Sequence, residues 1–70
     1  MKLKYKDFEG KVHYARAKIT TDHPASSYGQ PVIVLEDGGA IDWISWVGLG
    51  YQVVKATQKE LDDLRRMGLL

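Results

Sequence analysis

Asp22, His23, Ser26, Ser27 and Tyr28 fall within one short stretch and are of the types that supply an acid, a base and a hydroxyl nucleophile. Nucleophilic catalysis needs such groups aligned around an oxyanion site, and enzymes assemble them from separate elements of a scaffold rather than from a single loop. This chain has neither a strand-turn-helix serine elbow nor a phosphate-cradling glycine loop. Side-chain to backbone bonds that hold a buried loop in shape account for the same residues. No catalytic residue is assigned, and the chain reads as non-enzymatic. His13 and His23 with Asp22 lack the spacing of metal ligands, and there is no cysteine. The expectation is therefore no metal and no cofactor.

A second set of residues could bind rather than react. Lys2, Lys4, Lys6, Arg16 and Lys18, with Phe8 and Tyr14 interleaved, have the composition of a sheet that holds a nucleic-acid backbone, cations meeting phosphates and rings stacking on bases. One-sided antiparallel sheets also carry lysine on the wet face simply to stay soluble and to keep edges apart. A third set is aromatic. Trp43 and Trp46 suit either a small core or an interface, and in a domain this small one is expected inside and the other partly exposed.

Composition bounds what these sets can belong to. Seventy residues make one domain, residues 1–70, near the lower limit for folding on its own core, so a modest homodimer interface would be a natural source of stability. The start, Met1-Lys2-Leu3-Lys4-Tyr5-Lys6, lacks the apolar run of a signal peptide, and no stretch reaches membrane-spanning length. A cytoplasmic location with no membrane partner is the expectation. The net charge of +1 conceals an asymmetry: residues 1–20 hold six bases and two acids, residues 21–70 four bases and seven acids. A layout of this kind steers charged partners.

The elements that position these residues follow from pattern. Leu3 to Phe8 and Val12 to Thr20 read as strands around Glu9-Gly10-Lys11. A three-residue turn, pairing Phe8 with Val12, places Leu3, Tyr5, Ala15, Ala17 and Ile19 on one face and the cations with Tyr14 on the other; a two-residue turn would mix them. Residues 21–31 form a long loop, Val32 to Leu35 a central strand, and Glu36-Asp37-Gly38-Gly39 a turn. Residues 41–49 fit both periods, and a short helix capped by Asp42 and closed by Gly48 and Gly50 is favoured over a second hairpin across Asp37-Gly38. Tyr51 to Lys55 reads as a strand. Thr57 and Glu60 have capping-box spacing, so a last helix begins at Gln58 and ends at Gly68. The expected fold is α+β: an antiparallel sheet of about four strands, the N-terminal hairpin plus two, with a short middle helix and a C-terminal helix. The alternative is a five-stranded SH3-like barrel with a C-terminal helix.

The run from Thr20 through His23-Pro24-Ala25-Ser26-Ser27-Tyr28-Gly29-Gln30-Pro31 to Val34, then Asp37-Gly38, Ala40-Ile41-Asp42, Gly50 to Thr57 and the closing helix, resembles a group of short uncharacterised proteins of bacteria and their phages. The resemblance spans about residues 20–70 and implies no activity. On these readings the first expectation is a non-catalytic protein-binding module, a regulator or phage-type antagonist of a host system, contacting its partner through Trp43, Trp46, Leu49, His23 and Tyr28. The alternative is nucleic-acid binding through Lys2, Lys4, Lys6, Tyr14, Arg16 and Lys18.

Overall fold

A computed structural model describes all 70 residues as an antiparallel five-stranded sheet with two short helices. In chain order these are β1 (Lys2–Lys6), β2 (Val12–Thr20), β3 (Val32–Leu35), β4 (Ala40–Ile41), α1 (Trp43–Gly48), β5 (Gln52–Lys55) and α2 (Gln58–Arg66). The strand order is β4-β3-β2-β1-β5, open at β4 and β5. Strand β2 serves two partners in succession: Val12–Arg16 pairs with β1, and Ala17–Thr20 pairs with β3 on its other side. The sheet changes partner at Arg16, midway along its longest strand.

Both readings of residues 41–49 hold part of the answer. Ala40–Ile41 folds back on β3 through the Asp37-Gly38 turn, adding a fifth strand to the four expected. Asp42 then caps α1, its carboxylate accepting from the Ser45 N–H at 2.7 Å. The helix ends with Gly50 in the left-handed region, the Gly50 N–H donating to Val47 and the Tyr51 N–H reaching back to Trp46. That crossing pair of bonds satisfies the last free carbonyls and lays the Tyr51 ring on Trp46. Helix α2 follows the same plan. Thr57 and Glu60 form the capping box, and Gly68, also left-handed, turns Leu69 back so that its N–H bonds the Leu64 carbonyl.

The hairpin departs from expectation in one respect. Lys6 pairs with Val12 and Leu3 with Ala15, and the Asp7 N–H donates to the Lys11 carbonyl at 3.0 Å, so the three-residue turn is Phe8-Glu9-Gly10, one residue earlier than expected. Asp7 and Gly10 set that position: the Asp7 Oδ1 accepts from the N–H groups of Glu9 and Lys11, both at 2.9 Å, its carbonyl accepts from the Gly10 N–H, and Gly10 takes the left-handed conformation. Slippage by an even number of residues leaves every side chain on its expected face. Leu3 and Ala17 are buried, while Lys2, Lys4, Lys6, Tyr14, Arg16 and Lys18 are exposed. Phe8 leaves the strand and stands fully exposed in the turn.

One core holds these elements together. Leu3, Ala17, Ile33, Ile41, Trp46, Tyr51 and Leu64 form a continuous buried cluster, so α1 and α2 both cover the face of the sheet opposite its cations. A line of rings runs through it: Trp46 stacks on Tyr51, Tyr51 on Tyr5 and Tyr5 on His13, with centroids 4.8–5.6 Å apart. Burial pushes the Tyr51 phenol above its ordinary 10.0, with the neighbouring Tyr5 and Asp37 adding to the effect. No helix is long and apolar enough to cross a membrane.

Candidate nucleic-acid interface

The loop that holds the nucleophile-like residues is built by bonds to backbone, though it lies largely exposed rather than buried. The Ala25 N–H donates to His23 Nδ1 at 3.0 Å, which leaves the proton on Nε2, and Nε2 donates to the Gly38 carbonyl at 2.9 Å. His23 thereby ties the loop to the β3–β4 turn and has no ring nitrogen left for a substrate or a protein partner. The Ser26 hydroxyl is taken by the Gln30 carbonyl, and the Asp22 N–H donates to the Thr20 hydroxyl. Ser26, His23 and Asp22 do not converge.

Tyr28 sits at the tip of a turn closed by the Gln30 N–H on the Ser27 carbonyl, with φ 54° and its side chain in solvent. Of the two tryptophans, Trp46 is 5% exposed and belongs to the core, whereas Trp43 is 61% exposed. This corrects Trp46 as a contact residue. On a helix the outward stripe is set by the i, i+4 spacing, and here it is Trp43 and Val47 with Ile44 beside them. Leu49 is only partly accessible and packs against the core.

The cationic face is more continuous than the loop. The segments KLKYK, VHYARAKIT and QVVK of β1, β2 and β5 contain no carboxylate. Lys2, Lys4 and Lys6 run down the middle strand, Arg16 and Lys18 lie on β2, and Lys55 lies on β5. Tyr14 is opposite Lys4 and 61% exposed, with the Lys2 ammonium 5.2 Å from its ring centroid. None of these six cations, nor Lys11 in the turn, forms an ion pair with a carboxylate.

The remaining three cations of the chain behave differently. On α2, Lys59 pairs with Asp63 at 3.2 Å, Arg65 with Asp62 at 3.1 Å and Arg66 with Asp63 at 3.6 Å. Glu60 accepts from the Thr57 N–H, which with the Met1 ammonium at 3.1 Å holds its carboxyl below the usual 4.5. The Asp7 carboxyl is held below 3.8 chiefly by the hydrogen bond from His13 at 2.7 Å and further by the Lys11 and Glu9 N–H groups. Asp42 is lowered by the Ser45 N–H it accepts. Each of these acids is engaged in local structure. Glu36 and Asp37, at the β3–β4 turn, border the groove beside Tyr14 and Arg16.

One member of this face escapes the sequence pattern. Lys55 joins it through a bulge in the pairing of β1 with β5 that no spacing rule announces. Phe8, expected at the end of a strand, stands instead in the turn that Asp7 closes. Compared with protein-family models, with curated proteins and with solved structures, the chain shows no significant match.

Proposed function

We propose that the chain acts by occupying a macromolecular surface rather than by catalysis, and that its ligand is a nucleic acid held on the cationic face of β5-β1-β2. The observation that carries this reading is the division of charge: the sheet cations lack carboxylate partners, while every cation of α2 is matched within its own helix. Unmatched cations on one acid-free sheet release counterions when phosphates replace them, which drives association with a polyanion. The test is a mobility-shift or anisotropy titration with DNA and RNA oligonucleotides at low salt. Binding is expected with both, and the pair Lys4→Glu and Arg16→Glu abolishes it. Failure to bind any oligonucleotide at low salt ends the reading.

A second reading places a protein partner, or a second copy of the chain, on α1. It is supported by the exposed, uncharged side chains of Trp43, Ile44 and Val47, with Tyr28 as a further exposed ring on the 21–31 loop. Light scattering of wild type and Trp43→Ala tests the homodimer form. A dimer that dissociates in the variant favours it, and a monomer in both removes it. A regulator or phage-type antagonist of a host system is one version of this second reading.

A further inference from the structure

Three cations of the proposed interface stand side by side in an arrangement that folding alone disfavours. Lys2 pairs directly with Arg16 on one side and directly with Lys55 on the other, giving a row Arg16–Lys2–Lys55 across three strands. Like charges directly opposite one another in a sheet repel, and here no carboxylate bridges them. The row also depends on an irregularity. Lys4 pairs with Gln52 and Leu3 with Val53, so regular pairing would set Val54 beside Lys2; the register shift between Lys2 and Leu3 brings Lys55 there instead. Bulges gather at sheet edges, where β5 lies, and beside functional sites, where they re-aim a side chain. The three side chains line one cleft of about 410 Å³ together with Met1, Ala56, Thr57 and Glu60. Glu60 is the one carboxylate there, and it is already bonded to the Met1 ammonium and the Thr57 N–H.

Beside this row lies a ring. Tyr14 is two residues from Arg16 on the same strand, about 6.6 Å along it, and Lys2 touches both the row and one side of the Tyr14 ring. The other exposed ring of the hairpin, Phe8, stands past the end of the strands near Lys6 and Lys11. Tyr5 and Tyr51, by contrast, are committed to the internal stack. A phosphate seat next to an accessible ring matches a nucleotide whose base is unstacked and unpaired. Groove reading of a duplex calls for a basic helix or a free two-stranded ribbon, and β1 and β2 are flanked by β5 and β3. Here α1 carries no basic residue, and α2 is neutralised and packed on the opposite face.

Resting on the nucleic-acid reading above, we infer that the ligand is single-stranded, with a backbone phosphate seated on Arg16, Lys2 and Lys55 and a base stacked on Tyr14. The phosphate seat gives affinity without sequence, and the ring selects for strands whose bases are free.

The experiment is fluorescence anisotropy at low salt with a labelled 12-nucleotide oligothymidylate, a duplex of equal length, and polyglutamate as competitor. The single strand binds at least tenfold more tightly than the duplex. Tyr14→Ala weakens the single strand about tenfold, Tyr14→Phe leaves it unchanged, and neither alters duplex binding. Lys55→Gln, a change at an exposed strand end, weakens the single strand severalfold and keeps the assay informative if Tyr14→Ala fails to fold. Equal affinity for duplex and single strand, or indifference to both Tyr14→Ala and Lys55→Gln, overturns this inference while leaving the broader reading intact. Absence of binding to either form overturns both. Displacement by polyglutamate at equal charge concentration assigns the face to an acidic peptide and also overturns both.

Discussion

The two cationic regions of this molecule contrast in what their charges do. On α2, Lys59, Arg65 and Arg66 lie three or four residues from Asp62 and Asp63 and are drawn into pairs along the helix. Arg65 and Arg66 also sit in the last turn, where the helix dipole favours them. Their work is local and structural. On β1, β2 and β5 the neighbours fixed by pairing are other cations or uncharged groups, so no internal partner exists and the charge is left facing solvent. Counting basic residues would treat the two regions alike. Position within a helix or across a sheet decides whether a cation is paired within the fold or left facing solvent.

The most severe way to break this contrast is to reverse the sheet. Lys4→Glu with Arg16→Glu should lower oligonucleotide affinity by more than a hundredfold, read by anisotropy, while the thermal midpoint stays within a few degrees of wild type because both side chains are exposed. Loss of folding in that pair would show that the sheet charges support structure after all. A smaller and opposite effect is expected at the border. Glu36→Gln removes a carboxylate beside Tyr14 and Arg16 and should tighten binding about twofold to threefold by lessening repulsion of phosphate.

On the helix the pattern inverts. Arg65→Gln with Arg66→Gln removes two i, i+3 pairs worth about 0.2–0.5 kcal/mol each, a loss measurable by urea denaturation, and leaves oligonucleotide affinity unchanged at fixed salt. The smallest effect concerns acid. Asp7, Asp42 and Glu60 all have carboxyls held below their ordinary values. A lowered native value means the stabilisation is complete above the ordinary value and is lost as pH falls through the native one. The thermal midpoint should therefore be level from neutrality down to about pH 5 and decline below the ordinary 4.5 and 3.8 of these groups. Asp7→Asn should flatten part of that decline, and a decline unchanged by that substitution would take Asp7 out of it.

Much of the architecture is legible in local chemistry. The capping box at Thr57 and Glu60, the Asp42 cap, and the glycines that end both helices act over four or five residues, so spacing alone reveals them. The sorting of Lys4 and Tyr14 from Leu3 and Ala17 survives an error in turn position because it depends only on parity. Residues 41–49 resist because two rules apply to adjacent pieces: Ile41 pairs with Ile33 from a distant strand, and Asp42 starts a helix one residue later. Which tryptophan turns inward is fixed by Tyr51, whose ring stacks on Trp46 only once the helix end has folded back. The row at Lys2 is the least legible feature. It joins residues from three strands and depends on a bulge, and neither is encoded within any one segment.

The sheet, and not α2, carries the unpaired cations on which the proposed binding depends. The dependence of oligonucleotide affinity on salt measures it most directly, because the slope counts phosphates neutralised, about 0.7 per contact for a single strand. For three to four contacts, log affinity against log salt should fall with a slope of about −2 to −3 in wild type and equally in Arg65→Gln with Arg66→Gln. Loss of the phosphate held by Lys2 and Lys55, as in Lys2→Gln with Lys55→Gln, should make the slope shallower by about 0.7. A slope that responds to the α2 substitutions and ignores the sheet substitutions would contradict the account.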